Sequence, residues 1–357
     1  MTAELTFSLR NNNDLTTDEF VELAVAAEEA GLDQIWVSDD LFFRSATVML
    51  TVAAGRTDTI RLGTGILNPY TIHPAEMAMF ARTLAEVSNG RALLGIAAGA
   101  EDFLSWVGIE RTRPLSTTRE AIVGLRYLLD DRTELRPADW QADSRMRFGG
   151  ELEGRIGLYV GAMSPKMLRM SGELADGVLP LLFPPERYGE ARALVREGAV
   201  SAGRSPDDID VAACLWCSLG PDRGEARAAL ARKIAYFGPS FSPHVLDGIG
   251  LTAADLMPAR DAIDAGRADD ALRLLPSDAL RLGIAGDADD VVERLGALVD
   301  LGARHISFGP PLGPDPMVAI DILRTAVIPE LRRGVPGRRP GAATRDDTGL
   351  IEVLESP

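Results

Sequence analysis

Ile60-Arg-Leu-Gly-Thr-Gly-Ile-Leu-Asn-Pro-Tyr-Thr-Ile-His-Pro74 reads as a short buried strand, Ile60 to Thr64, that ends in Gly65 and passes through an irregular loop into a helix opened by Pro74. Small residues at the end of a strand let a flat group approach the backbone closely. Asn68-Pro69 and His73-Pro74 hold the residues before each proline extended, so the loop cannot wind into the helix early. Taken alone, the stretch is a tight strand-to-helix connection, and its meaning depends on whether other strands end the same way.

They do. Leu5–Leu9 reads as a first strand, followed by the capping box Thr16-Thr-Asp-Glu19 and a helix with Phe20, Leu23, Ala24 and Ala27 on one face, stopped at Gly31. Gln34–Ser38 is a second strand ending at Asp39-Asp40, and a helix over Ser45–Ala54 leads to the strand quoted above. After the helix Pro74–Val87, Ala92–Ala97 is a fourth strand, ending in Ala98-Gly99-Ala100. A helix over Ser116–Asp130 and a polar inserted loop at 131–155 follow. Strands at Ile156–Gly161, Gly177–Pro180, Asp210–Leu219 and Arg304–Phe308 continue the alternation, with helices at Pro165–Ala175, Glu186–Ala202, Gly224–Phe237, Asp289–Leu301 and Pro316–Leu331. Residues 238 to about 280 break the rhythm with short helices. Eight βα units predict a single α/β domain over residues 1–331, a (β/α)8 TIM barrel with inserted loops. Residues 332–357 read as a disordered tail.

Composition narrows the function classes. A hydrophobic content of 46% with 25% charged residues is that of a globular protein with a sizeable core, and the net charge of −16 argues against nucleic acid or an anionic membrane as partner. The start lacks a secretory signal, and no run reaches the roughly 18 apolar residues of a spanning helix, so a cytoplasmic location is expected. Cys214 and Cys217 stand three apart on a predicted strand, which points their sulfurs to opposite faces, and they read as packing residues. With so few histidines, no metal site is expected.

A barrel places its active site at the C-terminal ends of the strands. There the sequence sets small, uncharged residues, suited to a broad flat ligand. Ala162-Met-Ser-Pro-Lys166 carries a separate signal. Ser164 suits an N-cap and Pro165 the first helical position, so the free amides, the helix dipole and Lys166 together make an anion site. Lys166 is one of only two lysines in the chain, although a well-capped helix with a solvated lysine accounts for the same residues. Asp39, Asp40 and Glu101 could accept hydrogen bonds from a ring or handle a proton; capping the next helix is their structural alternative. His73 reads as a residue that fixes the loop, and His305 as a core or sheet-surface residue.

Ala27-Glu-Glu-Ala-Gly-Leu-Asp-Gln-Ile-Trp-Val-Ser-Asp39, Leu62–Pro74, Ser88-Asn-Gly-Arg91, Tyr159–Leu168 and Gly172-Glu-Leu-Ala-Asp-Gly177 resemble the luciferase-like (bacterial luciferase) superfamily over nearly the whole chain to about residue 331. Asn68–Pro74 and Phe308–Pro314 are most similar to its methylenetetrahydromethanopterin reductase branch, whose members use the deazaflavin coenzyme F420. The resemblance implies a small-molecule oxidoreductase with the cofactor at the strand C-termini and a non-prolyl cis peptide at Gly65–Ile66 behind its central ring. It implies that Asp39 bonds the ring edge, that Asn68, Ala98, Gly99 and Phe103 line the cofactor, and that Met163, Ser164, Lys166 and Met167 hold its phosphate. Asp40 and Glu101 are the candidate local acids at these strand ends, and the resemblance allows a homodimer paired through helices near strands two and three.

Three departures stand out: Asp40 where some relatives have histidine, Ala100 before Glu101 where some have an acid, and Arg10 where the pterin reductases have an acid. An FMN-dependent luciferase-like monooxygenase and a non-catalytic flavin-binding relative are the alternatives.

Overall fold

The computed structural model describes residues 5–130, 135–137, 140, 148, 154–241 and 243–334. Nearly all of the inserted loop expected at 131–155, and the expected tail beyond residue 334, lie outside these. The fold is α/β, a (β/α)8 barrel as the eight repeats predict. The described residues divide into two compact units, Thr6–Leu181 with Glu190–Ala212, and Leu182–Gly189 with the described residues from Ala213 to Gly334.

The first unit alternates β1 (Thr6–Asn11), α1 (Thr17–Glu29), β2 (Gln34–Val37), α2 (Ala46–Ala54), β3 (Arg61–Thr64), α3 (Pro74–Val87), β4 (Ala92–Ile96), α4 (Glu101–Trp106), α5 (Pro114–Leu129), β5 (Gly157–Gly161), α6 (Pro165–Leu174) and β6 (Gly177–Leu179). Most of α7 (Tyr188–Ser201) and the first residues of β7 (Asp210–Leu219) complete it. The strands pair in parallel in sequence order, β1 with β2 through to β6 with the start of β7. The Thr16–Glu19 capping box forms, so local chemistry sets where α1 begins.

Alternation along these strands separates two faces. Ile35, Val37, Leu62, Leu94, Ile96, Leu158 and Val160 are all buried and lie on one. The other carries Gln34, Trp36, Gly63, Gly95, Tyr159 and Gly177, matched large to small. Trp36 pairs in register with Gly63, and a Cβ there would lie 2.2 Å from the indole. Tyr159 pairs with Gly177, where a Cβ would lie 2.1 Å from the phenol ring. The two aromatic rings meet edge to face at 4.9 Å, and each polar tip finds a partner, Trp36 Nε1 on Gln34 Oε1 at 3.0 Å and Tyr159 OH on Asp210 Oδ2 at 2.8 Å. Burial, and then the Asp210 carboxylate, push the Tyr159 hydroxyl above its ordinary range. This layer is sealed packing, and nothing in it is left for chemistry.

The second unit holds the rest of β7, then α8 (Arg223–Phe237), α9 (Pro243–Asp247), α10 (Ala253–Asp264), α11 (Ala268–Leu274), β8 (Ile284–Gly286), α12 (Ala288–Asp300), β9 (His305–Leu312), α13 (Pro316–Ile322) and α14 (Ile328–Arg333). Its short helices pack on a small core of Ala235, Ala259, Ala262 and Ala271. Two expectations need correcting. Ile284–Gly286 is an extra strand, paired with Cys217–Leu219; three residues carry too little alternation to be seen in sequence. The last strand runs on to Leu312, through a cis Pro310–Pro311 bond, instead of ending at Phe308. Both cysteines are buried and form no disulfide, and burial pushes the Cys217 thiol up to about 12. No helix among the described residues is long and apolar enough to cross a membrane, and none of their acidic, histidine and cysteine side chains cluster as a metal site.

Candidate active site at the strand C-termini

The loop after β3 is a bulge. Gly65 N–H still donates to Val37 O on β2 at 2.7 Å, while Leu67 exchanges hydrogen bonds with β4, donating to Gly95 O and accepting from Ala97 N–H. Ile66 stands between these pairings, as the extra residue of a bulge does, and the Gly65–Ile66 peptide is cis. The Thr64 hydroxyl bridges the gap in the ladder, 2.9 Å from Gly95 O and 3.0 Å from Gly95 N. The Thr64 carbonyl also explains Gly95, since a Cβ there would lie 2.2 Å from it.

Small residues on the neighbouring strands complete a floor. A Cβ at Gly161 would lie 3.1 Å from Ala97 Cβ and 3.2 Å from Ile66 Cγ2, so little space is left for a side chain between the ends of β3, β4 and β5. Asn68 secures one edge. Its Nδ2 donates to Ala98 O at 3.2 Å and its Oδ1 accepts from Tyr70 N–H at 3.0 Å. Gly99 takes a φ of +67°, and a Cβ there would sit 2.3 Å from Asn68 Nδ2, so both glycine's freedom and its size are used.

The acidic candidates have defined settings. Asp39 Oδ1 accepts from Ala46 N–H, the first residue of α2, at 2.9 Å, so it caps that helix; Oδ2 has no partner among the described residues. Burial lifts the Asp39 carboxyl above its usual range against the lowering effect of that bond. Ser38 Oγ lies 2.9 Å from Asp40 Oδ2, and Asp40 O accepts from Asn13 Nδ2 at 2.9 Å. Glu101 is exposed and paired with Arg111 at 3.0 Å, while the same guanidinium donates to Gly99 O at 2.9 Å.

At β5, Ser164 caps α6 by accepting from Met167 N–H at 3.3 Å, with Pro165 at the first helical position and Lys166 exposed in the first turn. Met163 is half exposed beside them. His73 caps α3 through Nδ1 and stacks on Trp140 at 5.6 Å, the loop-fixing role its sequence context predicts.

The structure thus brings Gly65, Ile66, Asn68, Ala98 and Gly99 together and sets Met163, Ser164, Lys166 and Met167 on the adjacent strand end. Phe103 faces Trp106 on α4, joining that cluster only through its own short helix. Asp39 and Asp40 sit at the end of β2, next to β3, whereas Glu101 turns to Arg111. Sequence reading missed Asn13 and Arg111. Fully buried Asn13 ties the β1 loop to the carbonyls of Asp40 and Arg44, and the run Asn11-Asn12-Asn13 at a strand end was the available signal. Arg111 lies in a loop with no pattern to mark it.

The luciferase-like monooxygenase family matches residues 5–305. The chain belongs to that family. Within it, the 5,10-methylenetetrahydromethanopterin reductase of Archaeoglobus fulgidus is 33% identical over 86% of this chain and 93% of its own length. An F420-dependent glucose-6-phosphate dehydrogenase of Microbacterium testaceum is 27% identical over 93% of this chain and 99% of its own. The solved structure of the coenzyme F420-dependent tetrahydromethanopterin reductase from Methanopyrus kandleri superposes with a TM-score of 0.80 at 30% identity, covering 92% of this chain and 99% of that one.

The residues present suit a flat, phosphate-bearing group of the kind this luciferase-like family implies. At Gly161 an added Cβ would lie 3.1 Å from Ala97 Cβ and 3.2 Å from Ile66 Cγ2, tighter than ordinary contact. Asn11 Nδ2, at the end of β1, is a buried donor without a partner among the described residues. The capped end of α6 offers an anion the helix dipole and a lysine.

Proposed function

We propose that this protein, a coenzyme F420-dependent oxidoreductase, transfers hydride between the reduced deazaflavin and an organic acceptor of the methylene-tetrahydromethanopterin or tetrahydrofolate type. The observation that carries the reading is the pairing of a small-residue floor on β3–β5 with an anion-ready helix end directly after β5. Bound there, the coenzyme supplies the hydride chemistry, and the protein supplies orientation and electrostatics.

Gly65, Ile66, Asn68, Ala98, Gly99 and Phe103 line the ring, and the second oxygen of Asp39 meets its edge. Met163, Ser164, Lys166 and Met167 hold the phosphate. Asp40 and Glu101 are the acids near the acceptor. Of the two, Glu101 pairs with Arg111 and Asp40 accepts from Ser38 Oγ. The acid-rich chain works in the cytoplasm on small molecules and has no nucleic-acid role. Val48 and Val52, exposed one turn apart on α2, and exposed Met79 on α3 support pairing of two copies through these helices. Sedimentation of wild type as a dimer and of Val48→Glu/Val52→Glu as a monomer checks that pairing; a monomeric wild type refutes it.

Titration with coenzyme F420 and with FMN tests the cofactor. The expected outcome is deazaflavin binding, weakened about three- to tenfold by Lys166→Ala with the melting temperature unchanged. Tight FMN binding without deazaflavin affinity would instead make the protein a flavin monooxygenase. Unchanged affinity in Lys166→Ala would remove the phosphate site.

A further inference from the structure

Two large aromatic side chains stand in solvent beside the floor. Phe42, two residues beyond Asp40, is 65% exposed, and so is Trp106 at the end of α4. Their rings lie 6.0 Å apart and tilted by 42°, and Phe103 props Trp106 edge-on at 5.1 Å. β2 and β4 flank β3 in the sheet, so this ring pair joins the two loops on either side of the Gly65–Ile66 bulge. Phe42 also holds a φ of +73°, a left-handed backbone that a non-glycine residue adopts at a cost. An exposed phenylalanine gains nothing from that conformation unless its ring has work to do outside the core.

The charges around the pair select among ligands. Glu101, Asp102 and Glu110 are all exposed on α4 and the loop after it, and Arg111 spends its two terminal guanidinium nitrogens on Glu101 and Gly99 O, its Nε being buried without a partner among the described residues. A phosphate dianion meets unfavourable charge on this side, while Lys166 takes anions on the β5 side. Open π faces beside carboxylates suit a flat conjugated ring bearing amino groups.

We propose that Phe42 and Trp106 form the platform on which the acceptor's ring stacks, so that the substrate carries an amino-substituted heteroaromatic or aryl group and is not a sugar phosphate. This rests on the oxidoreductase reading above and names the part of the acceptor that the site grips.

Two measurements with separate failure modes test it. The first uses protein without coenzyme, with methylenetetrahydromethanopterin and glucose 6-phosphate as probes and tryptophan fluorescence as readout. The pterin is expected to quench wild type, Trp106→Phe is expected to lose most of that quench, and glucose 6-phosphate is expected to leave both unchanged. The second uses the coenzyme-loaded enzyme. Trp106→Ala and Phe42→Ala should each raise KM for the pterin about tenfold, and Trp106→Phe should recover to within about threefold of wild type, with coenzyme affinity held within about twofold.

A quench identical in wild type and Trp106→Phe, together with unchanged KM, overturns the platform. So does a matching loss of coenzyme affinity, which would assign the rings to the cofactor, or conversion of a dimer to a monomer, which would assign them to a subunit contact. Wild type that binds no coenzyme defeats the parent reading alone, because the quench is read without it.

Discussion

The two ends of the strands in the first unit are built on opposite principles. At the N-terminal ends, charged side chains are spent on the backbone. Asp33 accepts from Phe7 N–H, just inside β1, and Asp176 accepts from Leu158 N–H, just inside β5, both through a carboxylate set immediately before the next strand. Glu28 gathers the amides of Asp58, Thr59 and Ile60 ahead of β3. At the C-terminal ends, the side chains are small, a buried amide donor on Asn11 lacks a partner among the described residues, and Asp39 keeps one oxygen unengaged. In a barrel the first end serves stability and the second serves chemistry. Mutations at the two ends should therefore separate cleanly in what they damage.

The largest expected effect is at Arg91, just before β4. All five guanidinium donors are used, on Ser88 O, Thr57 Oγ1, Ile60 O, Ala54 O and Thr57 O, and the side chain is buried. Arg91→Ala leaves those acceptors dry and unpaired, and should cost on the order of 3–5 kcal/mol in urea unfolding. Arg91→Lys, with a point charge in place of a planar fork, should recover only part of it. A loss below about 1 kcal/mol for Arg91→Ala would show that this end is not what holds the strands in place.

Asp176 comes next, and it adds a pH signature. Burial alone would raise its carboxyl, but the hydrogen bond and charge of Arg126, with Leu158 N–H and Arg155, outweigh that and lower it. A carboxyl lowered on folding contributes stability above its unfolded value of about 3.9, and that contribution fades as pH falls through the folded value. Asp176→Asn should therefore be less stable than wild type by about 2 kcal/mol near neutral pH, with the gap closing in acid. Urea midpoints between neutral pH and about pH 3 would show it. A gap that persists unchanged in acid would mean that shape, not charge, matters here.

The sequence revealed the two ends unequally. The barrel was legible because eight strands repeat the same alternation with helices. The capped start of α6 was legible because an N-cap, a proline and a lysine sit within three residues. Gly65, Gly99 and Gly161 were visible as small residues, and their reasons were not. An added Cβ at each would crowd a group far away in sequence: Trp36 at Gly65, Asn68 at Gly99, Ala97 and Ile66 at Gly161. Arg91 could be seen within a motif, but its five acceptors lie on the α2–β3 connection and the end of α3, and no local pattern announces them. The left-handed Phe42 was hidden for a related reason, since its loop looks like any polar-to-apolar turn until Trp106 is placed beside it.

The smallest effect has the opposite sign and sharpens the contrast most. Burial raises Asp39, so the native protein holds its proton to higher pH than the unfolded chain does. Stability then falls as pH climbs from about 3.9 through the folded value, and the cost is fully present above it. Asn at this position keeps an oxygen for Ala46 N–H and carries no charge to desolvate. Asp39→Asn should therefore unfold at a higher temperature than wild type near neutral pH, by less than about 1 kcal/mol because solvent still reaches the group. The advantage should vanish below about pH 3, where the wild-type carboxyl is protonated in both states. The same variant should bind coenzyme F420 more weakly if the second Asp39 oxygen meets the ring as proposed. Stability gained and binding lost in one substitution is what a site residue predicts. A variant less stable than wild type at neutral pH would place Asp39 with Asp33 and Asp176 as a structural carboxylate.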